Sequence, residues 1–560
     1  MGRIQAFIPA LQWLPNYNKE DLSGDVSAGM IVAVMLIPQG MAYAMLAGLP
    51  PVIGLYSATI PLFVYALLGS SKQLAVGPVA IVSLLVFSGV SSLAEPGTDE
   101  YIAYVFLLSL MVGVIKLILG LLRLGVLVNF VSHAVISGFT SAAAIIIGLS
   151  QLNHLLGFEL PQSENVFVLL LLAAQQFSGI HPLTFLLGLG SIAVMVFLKR
   201  VAPRFPAPLL VVAGSTLIVY LFQLDQWGVK IVGDIPKGIP RFSLPAFSME
   251  SITSLFPIAL TIAFIGYMES IAIAKAIASK ENYQVDANKE LRALGLANIV
   301  GSFFSSYPVT GGFSRSAVNY QSGARTGLAS MITVFLIFLT LLFFTPVFYY
   351  LPRTVLAAII MVAVFGLIDV KEAKRLFQLK KVDGWTLLIT FVATLVLGIE
   401  DGILLGVAVS LLVFIARSAR PHTAVLGDLS KQNVFHNIAH DPEVKTEEDI
   451  LIFRMDASLY YPNMAFLEEK LRAEVDQRPK LQWIILDFSG VNDMDGISVD
   501  TWERIIDRYR EKGISFLLVG IKGSIRDLVT KACWPEKYGE IAFQSLHEAL
   551  QSIEAEGMLE

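Results

Sequence analysis

Cysteine is nearly absent: Cys533 is the only one in 560 residues. That excludes a disulfide scaffold and argues against a thiolate metal cluster. Charge is scarce as well. Charged residues make up 15% of the chain and hydrophobic ones 55%, against averages of about 25% and about 45–50% in soluble proteins. Mean hydropathy is +0.68, an excess that one water-soluble core cannot absorb at this length. Also missing are a nucleophile–base pair, metal-ligand spacing and a glycine-rich nucleotide loop. An enzyme is therefore not expected, and neither is a cofactor or a nucleic-acid partner.

What charge there is divides unevenly. Residues 421–560 hold 15 Lys and Arg against 25 Asp and Glu, whereas residues 1–420 hold 25 against 20. The two parts are matched to different solvents. In the first 420 residues, apolar runs on the scale of the about 20 residues that cross a bilayer recur at 26–48, 52–69, 74–92, 101–122, 132–156, 182–198, 208–224, 255–276, 290–303, 309–322, 326–350, 353–368, 384–399 and 402–416. These give fourteen expected spans, several of them short, and 166–178 reads as a helix lying at the interface. Glu20, Asp21 and Asp25 precede the first span, so a cleavable signal peptide is not expected. Basic residues collect in alternate loops (Arg123; Lys199 and Arg200; Lys289 and Arg292; Lys380 and Lys381). By the positive-inside rule both termini are cytoplasmic.

Beyond Pro421 the pattern becomes soluble. Residues 421–449 read as a linker. Short apolar runs at 450–456, 482–488 and 514–520 alternate with amphipathic stretches at 463–476 and 497–511, the mark of a small sheet covered by helices. The domains expected are thus 1–420 in the membrane and 450–560 in the cytoplasm.

Two spans are interrupted by turn residues at membrane depth. The third contains Gly77-Pro78, and the tenth opens Tyr307-Pro308-Val309-Thr310-Gly311-Gly312. Proline disfavours helix before it, so a helix starts at or just after each break. Non-helical backbone in a bilayer survives only when buried in protein or lining a cavity. Two helix N-termini meeting there make an anion site. A packing kink is the alternative for either break alone, but the matching positions in two seven-span halves favour a shared site.

Few ionisable residues fall well inside spans. Glu269, Arg315 and Lys116 do, and such residues default to function because a charge at the helix centre costs roughly 2.5–3.5 kcal/mol. Lys116 is expected to snorkel to the cytoplasmic interface. A structural Glu269–Arg315 pair is the plain alternative. Two helix N-termini contribute about +0.5 each, so with Arg315 and a protonated Glu269 the site carries about +2, matched to a dianion such as sulfate. Gln39, Tyr43, Thr310 and Ser314 supply hydrogen-bond donors, and Gly311 and Gly312 admit close backbone approach. His133 and His154 read as interfacial, with no second ligand at helical spacing to make a metal site.

Three stretches carry a family resemblance: I-P-Q-G-M-A-Y-A-M-L-A-G-L-P-P-V-I-G-L-Y at 37–56, A-V-G-P-V-A at 75–80 and P-V-T-G-G-F-S-R-S-A-V-N at 308–319. Together they resemble the SulP anion transporters, the bacterial and plant sulfate permeases related to mammalian anion exchangers and prestin. The tail resembles a STAS domain. The resemblance implies a polytopic α-helical membrane protein of fourteen transmembrane helices in a 7+7 inverted repeat, with core and gate domains moving as an elevator, plus a cytoplasmic α/β STAS domain. It implies a homodimer in a plasma membrane (the inner one in a bacterium) and a possible cytoplasmic partner at the STAS domain. Its anion pocket maps to Gln39, Tyr43, Val79, Phe313, Ser314 and Arg315, with Glu269 at the position tied to the coupling ion; the reading of the breaks adds Gly77, Thr310 and Gly312 as substrate-binding candidates. Sodium–bicarbonate relatives resemble a variant with Asp there, so Glu269 points to protons. The expected function is proton-coupled sulfate uptake. Bicarbonate or dicarboxylate transport, anion exchange, a channel, and a membrane-tethered signalling module are the other readings. One departure concerns regulation: Gly496 follows Asp495 where STAS phosphorylation switches carry serine.

Overall fold

The computed structural model of the chain describes residues 9–10, 14–125, 132–158, 166, 171, 175, 179–202, 207–245, 247–429, 435–439 and 444–555. The polypeptide divides into two compact units, residues 1–410 and 411–560.

The first unit is helical. Its long elements are α1 (Lys19–Leu46), α2 (Pro51–Ser57), α3 (Ile60–Leu68), α4 (Ala80–Ser91), α5 (Asp99–Leu121), α6 (His133–Ser150), α7 (Leu152–Leu156), α8 (Pro182–Val201) and α9 (Ala207–Phe222). There follow α10 (Met249–Lys280), α11 (Ala287–Ser302), α12 (Phe313–Gln321), α13 (Leu328–Leu339), α14 (Arg353–Phe365), α15 (Val370–Leu379), α16 (Lys381–Leu397) and α17 (Ile399–Ala419), within which the division between the units falls. Every expected span contains helix. Among the described residues, nine helical stretches of 18 or more residues are apolar enough to cross a membrane. Most of the 166–178 stretch lies outside the described residues.

The spans differ from expectation in three ways. The first begins earlier, at Lys19, because Asn18 and Asp21 form a capping box that starts α1 in polar sequence. The second is split into α2 and α3 around Ala58-Thr59, where Thr59 Oγ1 donates to the Tyr56 carbonyl at 2.6 Å. The segment after 368, read as a loop, is helix α15, which buries none of its residues and is capped by Asp369 accepting from the Glu372 N–H.

The third and tenth spans hold the breaks. Each begins with a two-residue strand, β1 (Val76–Gly77) and β2 (Thr310–Gly311), and these pair antiparallel with Val76 opposite Gly311 and Gly77 opposite Thr310. The helices that follow, α4 with 12 residues and α12 with 9, run about 18 and about 14 Å at 1.5 Å per residue. Neither reaches across a hydrocarbon core of about 30 Å. The two strands replace the missing helical turns and satisfy each other's backbone groups, which is what lipid-depth backbone requires.

The second unit is a sheet of seven strands. In order these are β4 (Phe435–Asn437), β3 (Thr423–Leu429), β6 (Ile450–Met455), β7 (Trp483–Asp487), β8 (Ser515–Val519) and β9 (Ala542–Phe543), with β5 (Val444–Lys445) also on β3. Strands β6 to β9 run parallel, and β3 pairs antiparallel with β6. Residues 421–449 are therefore not a linker: β3 to β5 belong to the sheet. Their polar, uneven sequence fits short antiparallel strands, β4 and β5 outermost and β3 between them and β6, which need no continuous apolar run.

The period-2 alternation of β6 divides its side chains between two cores. Leu451, Phe453 and Met455 join Leu467 and Leu471 of α18 (Tyr461–Asp476) and Trp502 and Ile506 of α19 (Gly496–Arg510). Ile450 and Ile452 face Ala549 and Ile553 of α22 (Leu546–Ala555), which follows α20 (Gly523–Lys531) and α21 (Trp534–Tyr538). Asp495 caps α19, accepting from the Ser498 N–H at 2.8 Å. Gly496 opens that helix, and Ser498 lies fully buried within its first turn, so neither presents the exposed hydroxyl that a kinase would need.

Candidate anion site at the paired helix breaks

The site is built outward from the β1–β2 pair. Gly312 donates its N–H to the Ala75 carbonyl at 3.1 Å, extending the pair by one bond and bringing both breaks to the same depth. Polar side chains then lock the turn before α12. Asn298 of α11 accepts from the Val309 N–H at 2.8 Å and donates to the Val309 carbonyl at 3.0 Å. Ser270 of α10 accepts from the Gly311 N–H at 2.9 Å. Ser57 accepts from the Tyr307 N–H at 3.1 Å. On the other break, Ala75 N–H donates to Ser316 Oγ at 2.9 Å, and Asn319 Nδ2 donates to the Gln73 carbonyl at 2.9 Å. Each partner is a serine or asparagine in an apolar helix, a buried polar side chain with a fixed task.

From this frame α4 and α12 start with Val79 and Gly312 as N-caps, and neither receives a side-chain cap. The first-turn N–H groups of a helix lack intrahelical partners and carry the positive end of its dipole. Arg315, one turn into α12, lies between the two starts with only 2% of its surface exposed. Its Nη1 donates to the Pro78 carbonyl. Its Nε and Nη2 are buried with no partner. Nη2 lies 3.5 Å from where a Cβ on Gly77 would sit and 2.8 Å from one on Gly312. A side chain at 312 would displace the guanidinium, and glycine there lets it come in close. Gly77 and Gly312 thus border one electropositive spot.

Glu269 of α10 faces this spot. It interacts with the charges of Arg315 and Lys116 and with the Phe313 backbone amide, and its Oε2 is buried without a partner. Tyr43 of α1, 7% exposed, faces both Arg315 and Glu269. Gln39, one turn earlier on the same face of α1, is buried. Val79 is buried at the start of α4.

Two expectations change. Thr310 does not offer its hydroxyl outward: it donates to the Gly266 carbonyl and lies 2.6 Å from Ser270 Oγ, so it anchors the break to α10. Phe313 and Ser314 stand in the first turn of α12 with exposed side chains, Phe313 to 63%. Lys116 does not snorkel. Its side chain is fully buried, and its Nζ lacks a partner 3.2 Å from where a Cβ on Gly266 would sit. An α5 lysine cannot reach water here because α10 and α11 pack across it.

Of the other residues read from the sequence, His133 is exposed on its side chain and faces Glu372 at 3.7 Å. The residues that sequence reasoning passes over are Ser270, Asn298 and Ser316. Their signal is a hydroxyl or amide recurring in otherwise apolar spans, which small-residue packing also produces. A separate polar cavity of about 880 Å³ lies by the far end of α12, lined by Lys72, Gln73, Glu281, Tyr320 and Arg325 among others. None of the expected anion-site residues lines it.

Comparison with known proteins places this geometry in context. Residues 22–390 match the sulfate permease family and residues 441–549 the STAS domain. The chain is 40% identical to the probable sulfate transporter 4.2 of Arabidopsis thaliana over 98% of its own length and 84% of that protein's. Its fold is similar to that of the murine anion transporter solute carrier 26 family member A9 in the inward-facing state, with a TM-score of 0.92, 25% identity, and coverage of 99% of this chain and 95% of that one. The transmembrane domain of a cyanobacterial bicarbonate transporter, BicA, aligns over 71% of this chain and 98% of its own, with a TM-score of 0.61 and 25% identity. A multi-pass helical unit followed by an α/β sheet domain agrees with these matches: the chain is a member of the sulfate permease family, an anion transporter with a C-terminal STAS domain rather than an enzyme.

Proposed function

We propose that the protein takes up sulfate together with protons, by an elevator-type exchange of access in which the bound anion rides with the paired breaks. The observation that carries this reading is the buried Arg315 guanidinium, held between two uncapped helix starts with Nε and Nη2 unpartnered. Donors of that kind suit an oxyanion, and a guanidinium matches its paired oxygens. In this reading Gln39, Tyr43, Val79, Gly77, Gly312 and the backbone of Phe313 and Ser314 complete the pocket beside Arg315. Glu269 takes up the proton that balances the second negative charge. The similarity to a plant sulfate transporter favours sulfate. The basic residues of alternate loops favour cytoplasmic termini.

Radiolabelled sulfate uptake into proteoliposomes, with bicarbonate, oxalate, fumarate and chloride as competitors at two pH values, tests the cargo. Uptake driven by an inward proton gradient, competed by none of the other anions at equal concentration, is the expected result. Sodium-dependent uptake suppressed by bicarbonate would favour the second reading, which the fold similarity to the cyanobacterial bicarbonate transporter supports.

A further inference from the structure

We infer that the proton accompanying the anion is shared by Lys116 and Glu269, so that Lys116 is a proton-carrying residue of the coupling machinery. This rests on the proton-coupled reading above and extends it to a residue on a different helix.

Lys116 is fully buried in the C-terminal part of α5, and Glu269 of α10 is half-buried with its Oε2 atom buried. Both carry a polar atom with no hydrogen-bond partner, Nζ on one and Oε2 on the other. The two attract each other electrostatically. Their approach is built into α10. Side chains on a helix lean toward its N-terminus, so the Glu269 carboxylate hangs over the turn that contains Gly266. Gly266 has no side chain, and Lys116 Nζ occupies the space beside it, 3.2 Å from where a Cβ would be. The ammonium and carboxylate therefore lie near each other along α10 with glycine making the room, with no direct hydrogen bond or ion pair closing the gap between them.

The other groups facing this pair are few. Arg315 comes from α12 and Tyr43 from α1. Tyr307, from the turn before β2, faces Arg315 and is held by Ser83 at 3.0 Å. Strand β2 and helix α4 contribute no titratable side chain. On α11, Glu290 is engaged elsewhere by Tyr65 and Ser70.

Charge balance then assigns the roles. The two helix starts supply about +1 together, and Arg315 adds one. A pair holding a single proton, whether as ammonium with carboxylate or as amine with carboxylic acid, has no net charge. The site is then about +2 and matches a dianion. Without that proton the pair is −1 and the site about +1, which matches it poorly. Sulfate and one proton thus enter together, the proton coming from the outer solution, and both leave inside. A lysine can alternate between ammonium and amine in such a place, whereas an arginine stays charged.

The test is pH-dependent uptake of radiolabelled sulfate by the full-length protein in proteoliposomes, comparing wild type, Lys116→Gln, Lys116→Arg and Glu269→Gln. With Lys116→Gln only the carboxylate can hold the proton, so the pH midpoint of uptake moves acidic by about one unit or more, a tenfold or greater change in proton affinity. With Lys116→Arg the pair carries no net charge whenever the carboxylate is ionised, so the loss of sulfate binding at alkaline pH disappears. The inference is overturned if Lys116→Gln moves the midpoint to alkaline pH, as removal of a permanent cation would, or leaves it in place. It is equally overturned if Lys116→Arg keeps the wild-type profile. Because Lys116→Arg retains the charge on a side chain only slightly larger, it decides the question even if Lys116→Gln does not fold. Failure of the coupling reading itself looks different: Glu269→Gln would still accumulate sulfate against its gradient.

Discussion

Arg315 of α12 donates from Nη1 to the backbone carbonyl of Pro78, the residue that breaks the third span. A residue from the second half of the membrane unit thereby ties down the break in the first half, at a sequence separation of 237 residues. The two remaining donor nitrogens stay inside, buried and unpaired. An arginine kept for structure alone would have its donors satisfied. The same side chain clamps the frame and presents charge to what the frame holds.

Arg315→Lys separates these tasks. It keeps a positive charge but loses the planar fork that reaches Pro78 and an oxyanion at once. Losing one charge-assisted hydrogen bond, worth about 1.5–3 kcal/mol, weakens sulfate affinity by roughly 10- to 100-fold. Arg315→Ala abolishes it. Equilibrium binding of radiolabelled sulfate to purified protein reads both.

Glu269→Gln is expected to leave sulfate exchange across the membrane intact and to remove accumulation driven by a proton gradient. Glutamine keeps the shape and cannot titrate. Counterflow and gradient-driven uptake, measured on the same proteoliposomes, distinguish the two activities. Loss of both would show that the carboxylate serves structure.

Ser270→Ala strips the acceptor from the Gly311 N–H and leaves that buried group unsatisfied, at a cost of about 1–3 kcal/mol. The damage falls on the anchor of β2, so sulfate affinity declines along with thermal stability in detergent. Thr310→Val, which removes the neighbouring link to the Gly266 carbonyl, shifts both in the same direction. A stability loss with unchanged affinity would show that the strand pair holds without these links.

Glu290 of α11 accepts from Tyr65 Oη, the Ser70 N–H, Ser70 Oγ and the Ser71 N–H at 2.7–3.1 Å. It fixes the segment that leads into β1. Glu290→Ala leaves four donors facing an emptied position and destabilises the protein by at least about 3 kcal/mol. Glu290→Gln retains one acceptor oxygen and has a smaller effect. Thermal unfolding of the full chain in detergent reports the order.

In the sheet domain, burial pushes the Asp495 carboxyl up, but hydrogen bonds from Ser498 and the Tyr461 N–H outweigh it and hold the group below the usual carboxylate range. A depressed folded-state value stabilises the fold above the unfolded carboxylate value of about 3.9. That contribution is lost as pH falls through it toward the lower folded value. Asp495→Asn should therefore lose stability at neutral pH, by about 1 kcal/mol as for a weakened helix cap, and show a flatter acid limb. Chemical unfolding from pH 7 to pH 3, followed by the fluorescence of a domain rich in buried tryptophan (Trp502 and Trp534), measures the difference.

Much of this is legible in the residues. Apolar run length and the two proline–glycine breaks point to the membrane helices and the candidate anion site, because in a bilayer the only workable answer to an unpaired backbone is a partner buried in protein. Arg315 and Glu269 stand out by the cost of charge at that depth. Strands β6 to β8 of the second domain show as short apolar runs, while β3 to β5 do not, since short antiparallel strands need no such run. Thr310 borders the break as its position requires, but its hydroxyl is engaged by the Gly266 carbonyl instead of being offered outward, because the packing of α10 sets where it points.

The chain by itself determined that there are two solvents, two interrupted helices and a small set of charges too costly to be accidental, since composition and spacing are local properties. Only the tertiary structure decided which groups meet: that β1 pairs with β2, that Arg315 reaches Pro78, and that Lys116 stays inside beside Gly266 instead of bending to the interface. Those outcomes depend on which helices pack across one another. A lysine four carbons long can snorkel or stay, and its neighbours, not its own sequence, close the way out.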